Sequence, residues 1–213
     1  MLTQVWTGER EIEESGRAAR AVVELERTLE SRYLDLTRHG HRVAHLSGIT
    51  ARLMDLDELT VERIRLAGAL HDIGKAAIDE EVLLQPDPPT PAQWEQIRQH
   101  PRIGFEFLVR AGLDDIARWV LAHHERVDGL GYPRGLDGDR IPLEAKILAV
   151  ADAYDAMLTD RVYRAAMQPE LAIAELRDCA GTQFDPTVVE AFIAALELEV
   201  PAPPSLVSCV AVA

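Results

Sequence analysis

Apolar residues recur at helical spacing through nearly the whole chain, and this constrains the fold more than any other feature of the sequence. From Glu11 to Leu36 they return every three or four positions among charged residues, as in a long amphipathic helix. Segments that alternate apolar and polar residues, as half-exposed strands do, are scarce. The sequence therefore predicts an all-α helical bundle.

Short patterns predict where the helices begin and end. Thr60 opens a helix that runs to His71, and Gly74 indicates a turn just beyond it. The stretch Thr90-Pro91-Ala92-Gln93 predicts a helix start with a capping box, because threonine can cap the helix and glutamine can return the bond. Pro101 then breaks or kinks that helix beside His100. Further helices are predicted at residues 113–123, 145–158 after Pro142, 169–180, and 185–196 with Asp185 as the cap.

Composition and charge limit the classes of function. A chain of 213 residues, 47% of them hydrophobic, suits one ordinary domain with a sizeable core. The net charge of −14 argues against a nucleic acid polymer as a partner, since such binding needs lysine and arginine to neutralise phosphates. A small anionic substrate stays open, because metal ions and local arginines can reverse the charge of a pocket.

The sequence also bears on the cellular compartment. No window has the roughly 18 uninterrupted apolar residues of a membrane span, and the N-terminus lacks the basic-then-apolar order of a signal peptide. The two cysteines, Cys179 and Cys209, are too few for a disulfide framework and fit a reducing compartment. We therefore expect a cytoplasmic protein without a membrane partner.

The strongest chemical signal is the pair His71-Asp72, together with further histidines and an aspartate at helix-compatible positions. Imidazole nitrogens and carboxylate oxygens in this mixture suit two first-row divalent metals, with one carboxylate free to bridge them. Such a pair, roughly 3.5–4 Å apart, makes hydroxide at neutral pH for in-line attack on a phosphoester. A histidine taken alone is more often a surface or core residue than a ligand, so the inference depends on the set. The candidate metal ligands are His39, His71, Asp72, His100, His123, His124 and Asp152.

Two motifs carry a family resemblance, His71-Asp72-Ile73-Gly74-Lys75 and His123-His124-Glu125-Arg126-Val127-Asp128-Gly129-Leu130-Gly131-Tyr132-Pro133. Further blocks follow the same order: His39-Gly40-His41-Arg42-Val43-Ala44, His100-Pro101, Ala149-Val150-Ala151-Asp152, Asp155-Ala156-Met157, Asp160-Arg161-Val162-Tyr163-Arg164 and Gly181-Thr182-Gln183-Phe184-Asp185-Pro186. In these blocks the chain resembles HD-GYP domains from about Asp35 to Leu196. A full series in one order is far more specific than a bare His-Asp doublet.

The resemblance implies an α-helical HD-domain bundle with a dinuclear metal site in its core. It implies a metal-dependent phosphodiesterase that cleaves cyclic di-GMP to linear pGpG and often onward to GMP, some members acting on related cyclic dinucleotides. Asp72 would bridge the two ions, and the family favours iron, with manganese or zinc as alternatives. The resemblance places one ion on His39, His71, Asp72 and Asp152, and the other on Asp72, His100, His123 and His124.

Further residues would meet the substrate or a third ion. By resemblance Lys75 lies near the scissile phosphate, and Arg161 and Arg164 meet phosphate or guanine. Tyr132 stands in a glycine-rich loop (residues 128–139) directly after the histidine pair, which favours a pocket wall. Asp35, one turn before His39, stands where trinuclear members have a glutamate, so a third metal stays open.

The chain divides into an N-terminal amphipathic helix (residues 1–34), an HD-GYP catalytic domain (35–198) and a C-terminal tail (199–213). A homodimer through the N-terminal helix, and GGDEF or other signalling proteins, are the expected partners. Three positions depart from the family pattern: Gly40 where serine or threonine is usual, Asp79 where proline is common, and Gln85 where a lysine usually follows the leucines. Gly40 would weaken its helix and loosen the backbone beside His39.

Other interpretations remain open. The chain could be an HD-class phosphohydrolase acting on another nucleotide, or a non-catalytic module that senses cyclic di-GMP or docks partners. His41 and His45 lie four residues apart but miss the family ligand positions, and we predict that neither is a ligand. Glu125 and Asp155 either cap and pair charges or support His124 and Asp152 from behind.

Overall fold

The computed structural model describes residues 27, 34–85, 87–160 and 165–199, and within these ranges the chain is helical. Two isolated β-bridges, Asp128 with Asp137 and Ala180 with Phe184, are the extended pairings in this part of the chain. The predicted all-α architecture is therefore confirmed. The helices are α1 (Leu34–Leu53), α2 (Glu58–Leu70), α3 (Glu80–Leu83), α4 (Pro91–Ile97), α5 (His100–Arg110), α6 (Asp114–Ala122), α7 (Leu143–Leu158), α8 (Pro169–Asp178) and α9 (Pro186–Glu199), with 3-10 turns at Ile73–Ala77 and Gly138–Arg140.

Two glycines let α1 and α2 cross with their backbones in close approach. A Cβ atom on Gly40 would lie 2.8 Å from the carbonyl oxygen of Ala69, and one on Gly68 would lie 2.7 Å from the Cα of Ala44. Both separations are too short for a side chain without a backbone shift. The missing side chain at Gly40 therefore allows a tight contact between the two helices, which the sequence alone did not indicate, and the loosening of the backbone beside His39 stays a prediction.

Side chains and prolines at the helix ends set the boundaries. The capping box of Thr90 and Gln93 is present at the start of α4, as predicted. Pro101 occupies the first turn of α5, so it ends one helix and begins the next rather than kinking a continuous one. The predicted start of α2 at Thr60 is wrong, since Asp57 caps that helix and accepts a hydrogen bond of 3.0 Å from the Thr60 backbone.

The core is aliphatic on one side and holds a group of buried polar residues on the other. Leu70, Ile73 and Leu108 are fully buried in the main apolar cluster. His71, Asp72, His100 and His123 are also buried, and they lie at or next to the ends of α2, α5 and α6. Because burying so many polar groups costs free energy unless they gain partners, their clustering indicates a functional site.

Some predictions fall outside the described residues. These are the N-terminal helix before Leu34, the substrate-binding pair Arg161 and Arg164, and the tail from residue 200 onward. No helix among residues 34–199 that the structure describes is both long and apolar enough to cross a lipid bilayer.

Candidate metal centre

Five separate segments bring the seven predicted ligands together. The N-terminal half of α1, the junction after α2, the start of α5, the end of α6 and the middle of α7 converge at the centre of the bundle. The side chains they deliver are, in that order, His39, the pair His71 and Asp72, His100, the pair His123 and His124, and Asp152.

The ligand atoms form two groups, and Asp72 lies between them. Atoms of His39, His71 and Asp72 lie within 4.8 Å of one another, as do atoms of His100, His123 and His124. Asp72 faces both groups, since its Oδ2 is 3.5 Å from Nε2 of His71 and its Oδ1 is 3.3 Å from Nε2 of His100. A third group joins Asp152 to His71 and His123. One carboxylate therefore lies between two groups of candidate ligands.

Backbone carbonyl groups orient three of the histidines. Nδ1 of His71 donates to the Gly68 carbonyl at 2.7 Å, that of His100 to Ile97 at 2.7 Å and that of His123 to Val120 at 2.5 Å. A carbonyl oxygen can only accept, so the proton is on Nδ1 and the lone pair is on Nε2. In each case Nε2 is the atom turned toward the cluster.

Two buried atoms in the cluster have no hydrogen-bond partner among the described residues. They are Nε2 of His71 and Oδ1 of Asp72. Unpaired lone pairs in a buried position are costly, and a cation between them would satisfy both. The residues present therefore fit divalent metal ions, which take nitrogen and oxygen donors of this kind.

A carboxylate orients His39 from behind. Asp155 accepts a hydrogen bond of 2.6 Å from Nδ1 of His39, and Arg42 holds the same carboxylate with two bonds of 2.5 and 2.9 Å. Asp155 therefore supports His39, rather than His124 or Asp152, through a histidine–carboxylate–arginine chain. In the sequence, Asp155 and Arg42 stand out only because they lie in short motifs that resemble those of HD-GYP domains.

Burial and charge give the histidines different proton affinities. Burial lowers the pKa of His100 to about 3 and that of His124 to about 4, and it holds the pKa of His123 well below its usual range. These rings are neutral at pH 7 and offer free lone pairs. Burial also lowers the pKa of His39, but hydrogen bonds to Asp152 and Asp155 outweigh it and raise this pKa to about 9.

Lys75 places its ammonium group beside the shared carboxylate. Its Nζ donates to Oδ2 of Asp72 at 2.6 Å. Burial raises the pKa of Asp72, but Lys75 and the nearby histidines outweigh it and keep the pKa well below its usual range. Asp72 is therefore an anion at neutral pH, and a carboxylate shared by two cations would have to be one.

The cluster forms the floor of a cleft of about 740 Å³, large enough for a nucleotide-sized ligand. Tyr132 lines this cleft with its ring 4.8 Å from that of His124, as the predicted pocket wall requires. The guanidinium of Arg98, which the sequence pattern did not single out, lies 5.5 Å from the centre of the Tyr132 ring.

Glu125 fixes the loop that carries Tyr132, which we name the Gly-Tyr-Pro loop (residues 128–139). Its buried carboxylate accepts hydrogen bonds from the backbones of Arg134 at 2.7 Å and Leu136 at 2.9 Å. Gly131 is required there, because a Cβ atom would lie 2.6 Å from the His124 carbonyl oxygen. Glu125 thus supports the loop instead of a metal ligand.

The remaining acidic and histidine candidates stay apart from the cluster. Asp35 lines the cleft but pairs with Arg38 at 3.6 Å, and its fully exposed carboxylate belongs to none of the ligand groups found among the described residues. His41 and His45 are exposed, and His45 contacts Glu199 at 2.8 Å. The structure therefore brings together the seven predicted ligands without Asp35, His41 or His45.

The described residues form an all-helical domain in which a His-Asp pair and further histidines make one buried cluster. This combination is typical of metal-binding helical domains. The chain belongs to the HD domain family, whose model matches residues 24–188, and its motifs are those of the HD-GYP type. HD domains hold divalent metal ions, and the seven clustered side chains fit them.

Curated relatives are 34% to 42% identical to this chain over the aligned segments. A cyclic di-GMP phosphodiesterase of Thermotoga maritima is 42% identical over 167 residues, which are 77% of this chain and 45% of that protein. The cyclic di-GMP phosphodiesterase response regulator RpfG of Xanthomonas campestris pv. campestris is 41% identical over 192 residues, 87% of this chain and 48% of that protein. The chain thus spans about half the length of these two relatives.

Two further proteins extend the comparison. The 3'3'-cGAMP-specific phosphodiesterase 3 of Vibrio cholerae is 35% identical over 161 residues, 75% of this chain and 35% of that protein. Among solved structures, Bd1817, an HDG"Y"P protein of Bdellovibrio bacteriovorus, superposes with a TM-score of 0.63 at 19% identity, covering 76% of this chain and 52% of that one. This likeness supports the helical fold.

Proposed function

We propose that this chain is a metal-dependent phosphodiesterase that hydrolyses cyclic di-GMP to pGpG, GMP or both. The observation that carries the proposal is Asp72, whose two oxygens face two separate histidine groups on the floor of a nucleotide-sized cleft. Two relatives, 42% and 41% identical, are named as cyclic di-GMP phosphodiesterases, and their names indicate the substrate proposed here. Two bound divalent ions, iron before manganese or zinc, would supply Lewis acidity and a nucleophile at neutral pH.

The residues of the chain have distinct roles in this proposal. His39, His71 and Asp152 would hold one ion, His100, His123 and His124 the other, and Asp72 would hold both. Lys75 would stabilise negative charge that develops on the phosphoryl oxygens, since its ammonium already lies at the shared carboxylate. Tyr132 would present its ring to the substrate beside His124, and Arg161 and Arg164 would bind phosphate or guanine.

A related substrate is the second candidate. The relative from Vibrio cholerae named as specific for 3'3'-cGAMP is 35% identical, so the same centre could serve a mixed cyclic dinucleotide. The higher identity to cyclic di-GMP phosphodiesterases favours the first substrate. A homodimer through the N-terminal helix and GGDEF signalling partners stay predictions from the sequence.

The test is reconstitution without oxygen, with iron(II) or manganese(II), followed by cyclic di-GMP and chromatography of pGpG and GMP. We expect turnover in the native chain and its loss in Asp72→Ala, because that variant removes the shared ligand. Lack of turnover by a chain shown to hold two ions would reject cyclic di-GMP as the substrate. A parallel reaction with 3'3'-cGAMP separates the two candidates.

A further inference from the structure

One wall of the cleft has no role in the hydrolysis proposed above. It is formed by the segment that joins α3 to α4 and by the first turns of α4. Leu84 and Trp94 line it and remain 61% and 41% exposed. The exposed indole ring of Trp94 is suited to stack on the face of a nucleobase, and Leu84 adds apolar surface beside it.

The capping box of α4 fixes the orientation of one amide next to this wall. The backbone nitrogen of Thr90 lies 2.8 Å from the side chain of Gln93, and a backbone nitrogen can only donate. The atom of Gln93 that faces Thr90 is therefore its oxygen, Oε1. Its nitrogen, Nε2, points the other way and lies 2.9 Å from the side chain of Gln85.

The orientation of Gln93 in turn determines that of Gln85. Because Nε2 of Gln93 donates, the atom of Gln85 that receives the bond must be its oxygen. Gln85, which lines the cleft, is left with its amide nitrogen as a donor. This nitrogen is shielded from solvent and has no hydrogen-bond partner among the residues that the structure describes. A buried donor without an acceptor costs free energy that a ligand could recover.

We propose, building on the function proposed above, that Gln85 is a specificity-determining residue that selects guanine over adenine. The Hoogsteen edge of guanine offers two acceptors, O6 and N7, to a donor in this position. Adenine carries an amino donor where guanine has O6, so the Gln85 amide nitrogen directed at this position would meet another donor in adenine, whereas the N7 acceptor is common to both bases and does not discriminate between them. Since the oxygen of Gln85 is occupied by Gln93, the amide cannot turn to accommodate adenine.

Two substitutions at different positions test this proposal, and both should weaken the preference for guanine over adenine. Gln93→Glu keeps an acceptor for the cap of α4 but can no longer donate to Gln85, which then turns its nitrogen toward the new carboxylate and its oxygen toward the cleft. Gln85→Glu replaces the donor directly with an acceptor. Gln96→Glu is the matched control, since it adds the same charge to the exposed side of α4 and does not line the cleft.

The readout is the ratio of the dissociation constants of cyclic di-AMP and cyclic di-GMP, measured by calorimetry on the metal-loaded chain and accompanied by kcat and KM. We expect this ratio to fall about three- to ten-fold in Gln93→Glu and Gln85→Glu, the size of one hydrogen bond, and to stay constant in Gln96→Glu. An added charge that merely repels phosphates weakens both ligands equally and leaves the ratio unchanged.

An unchanged ratio would overturn the proposal and assign Gln85 to phosphate binding or to packing of the wall. A native chain that binds cyclic di-GMP without cleaving it would refute the proposed hydrolysis, while the ratio would still report on Gln85. A native chain that binds neither dinucleotide would overturn both.

Discussion

Asp155 distinguishes His39 from the histidines that backbone carbonyl groups orient. A carboxylate partner makes an imidazole a stronger metal ligand than a neutral carbonyl does, and Arg42 holds that carboxylate in place. One side of the centre therefore depends on charged side chains, whereas the side containing His100 and His123 depends on helix backbone.

Replacing Asp155 by alanine should weaken metal binding. The variant removes the hydrogen bond that orients His39, and losses of this kind reduce metal affinity about 10- to 100-fold. Competition with a chromogenic chelator measures the affinity, and elemental analysis measures the stoichiometry. Asp185→Ala is the control, because Asp185 bonds Lys146 at 2.9 Å and caps α9 without contacting a ligand histidine. Equal metal affinity in the two variants would contradict the role of Asp155.

The proton on His39 should make the stability of the metal-free chain depend on pH. Its pKa of about 9 lies above the ordinary value of 6.5, so the folded chain binds this proton more tightly than the unfolded chain does. The resulting stabilisation is fully present below about pH 6.5 and is lost as the pH rises toward 9. We expect the urea midpoint of chelator-treated protein to fall across this range. In His39→Gln the urea midpoint should change much less with pH. An equally steep fall in that variant would mean that other groups cause the pH dependence.

At the scale of elements, the Gly-Tyr-Pro loop is held by one buried carboxylate. Glu125 follows His123 and His124 directly, so the same short stretch supplies two of the proposed metal ligands and the anchor of the cleft wall. Displacement of this loop would move Tyr132 away from the substrate without moving the ligand atoms of His123.

Glu125→Gln should therefore separate substrate binding from metal binding. Glutamine offers one oxygen where two backbone donors need two, so one end of the loop is released at a cost of about 1–3 kcal/mol. We expect KM for cyclic di-GMP to rise several-fold while the metal content stays at the native level. Asp139→Asn, an exposed change in the same loop, serves as the control. Loss of metal in Glu125→Gln would show that Glu125 supports the ligands instead.

The elements also show which features the sequence could predict. The capping box at Thr90, the helix break at Pro101 and the helical class depend on neighbouring residues, and all were predicted correctly. The cap at Asp57 was missed because Thr60 also suits a cap, and only the backbone path decides between them. The bond from His39 to Asp155 spans 116 positions, so no local pattern could show it. The close crossing at Gly40 was missed for the same reason.

At the scale of the whole molecule, the metal centre joins five segments of the bundle. The candidate ligands span from α1 to α7, and Asp72 follows the end of α2 and contacts His100 at the start of α5. Ions bound there would stabilise the folded state and not the unfolded state, because the unfolded chain does not hold the ligands together.

Removal of metal should lower the melting temperature. At a free concentration of about 100 times its Kd, each bound ion adds about 2.7 kcal/mol of stability. We expect a chelator to reduce the melting temperature of the loaded chain by at least several degrees, as calorimetry would show. Asp72→Ala should respond much less, since it lacks the shared ligand. A melting temperature that the chelator leaves unchanged in the native chain would mean that the ions add no stability.

The carbonyl partners of the histidines also have a consequence for the order of assembly. His71, His100 and His123 each bond a carbonyl three positions earlier, so the helical turn in which a ring sits has already set its rotation. His39 takes its rotation only after α1 and α7 have docked. During biosynthesis we therefore expect the half of the centre built on His100 and His123 to become competent for an ion first, and the half that contains His39 only once α1 and α7 have docked.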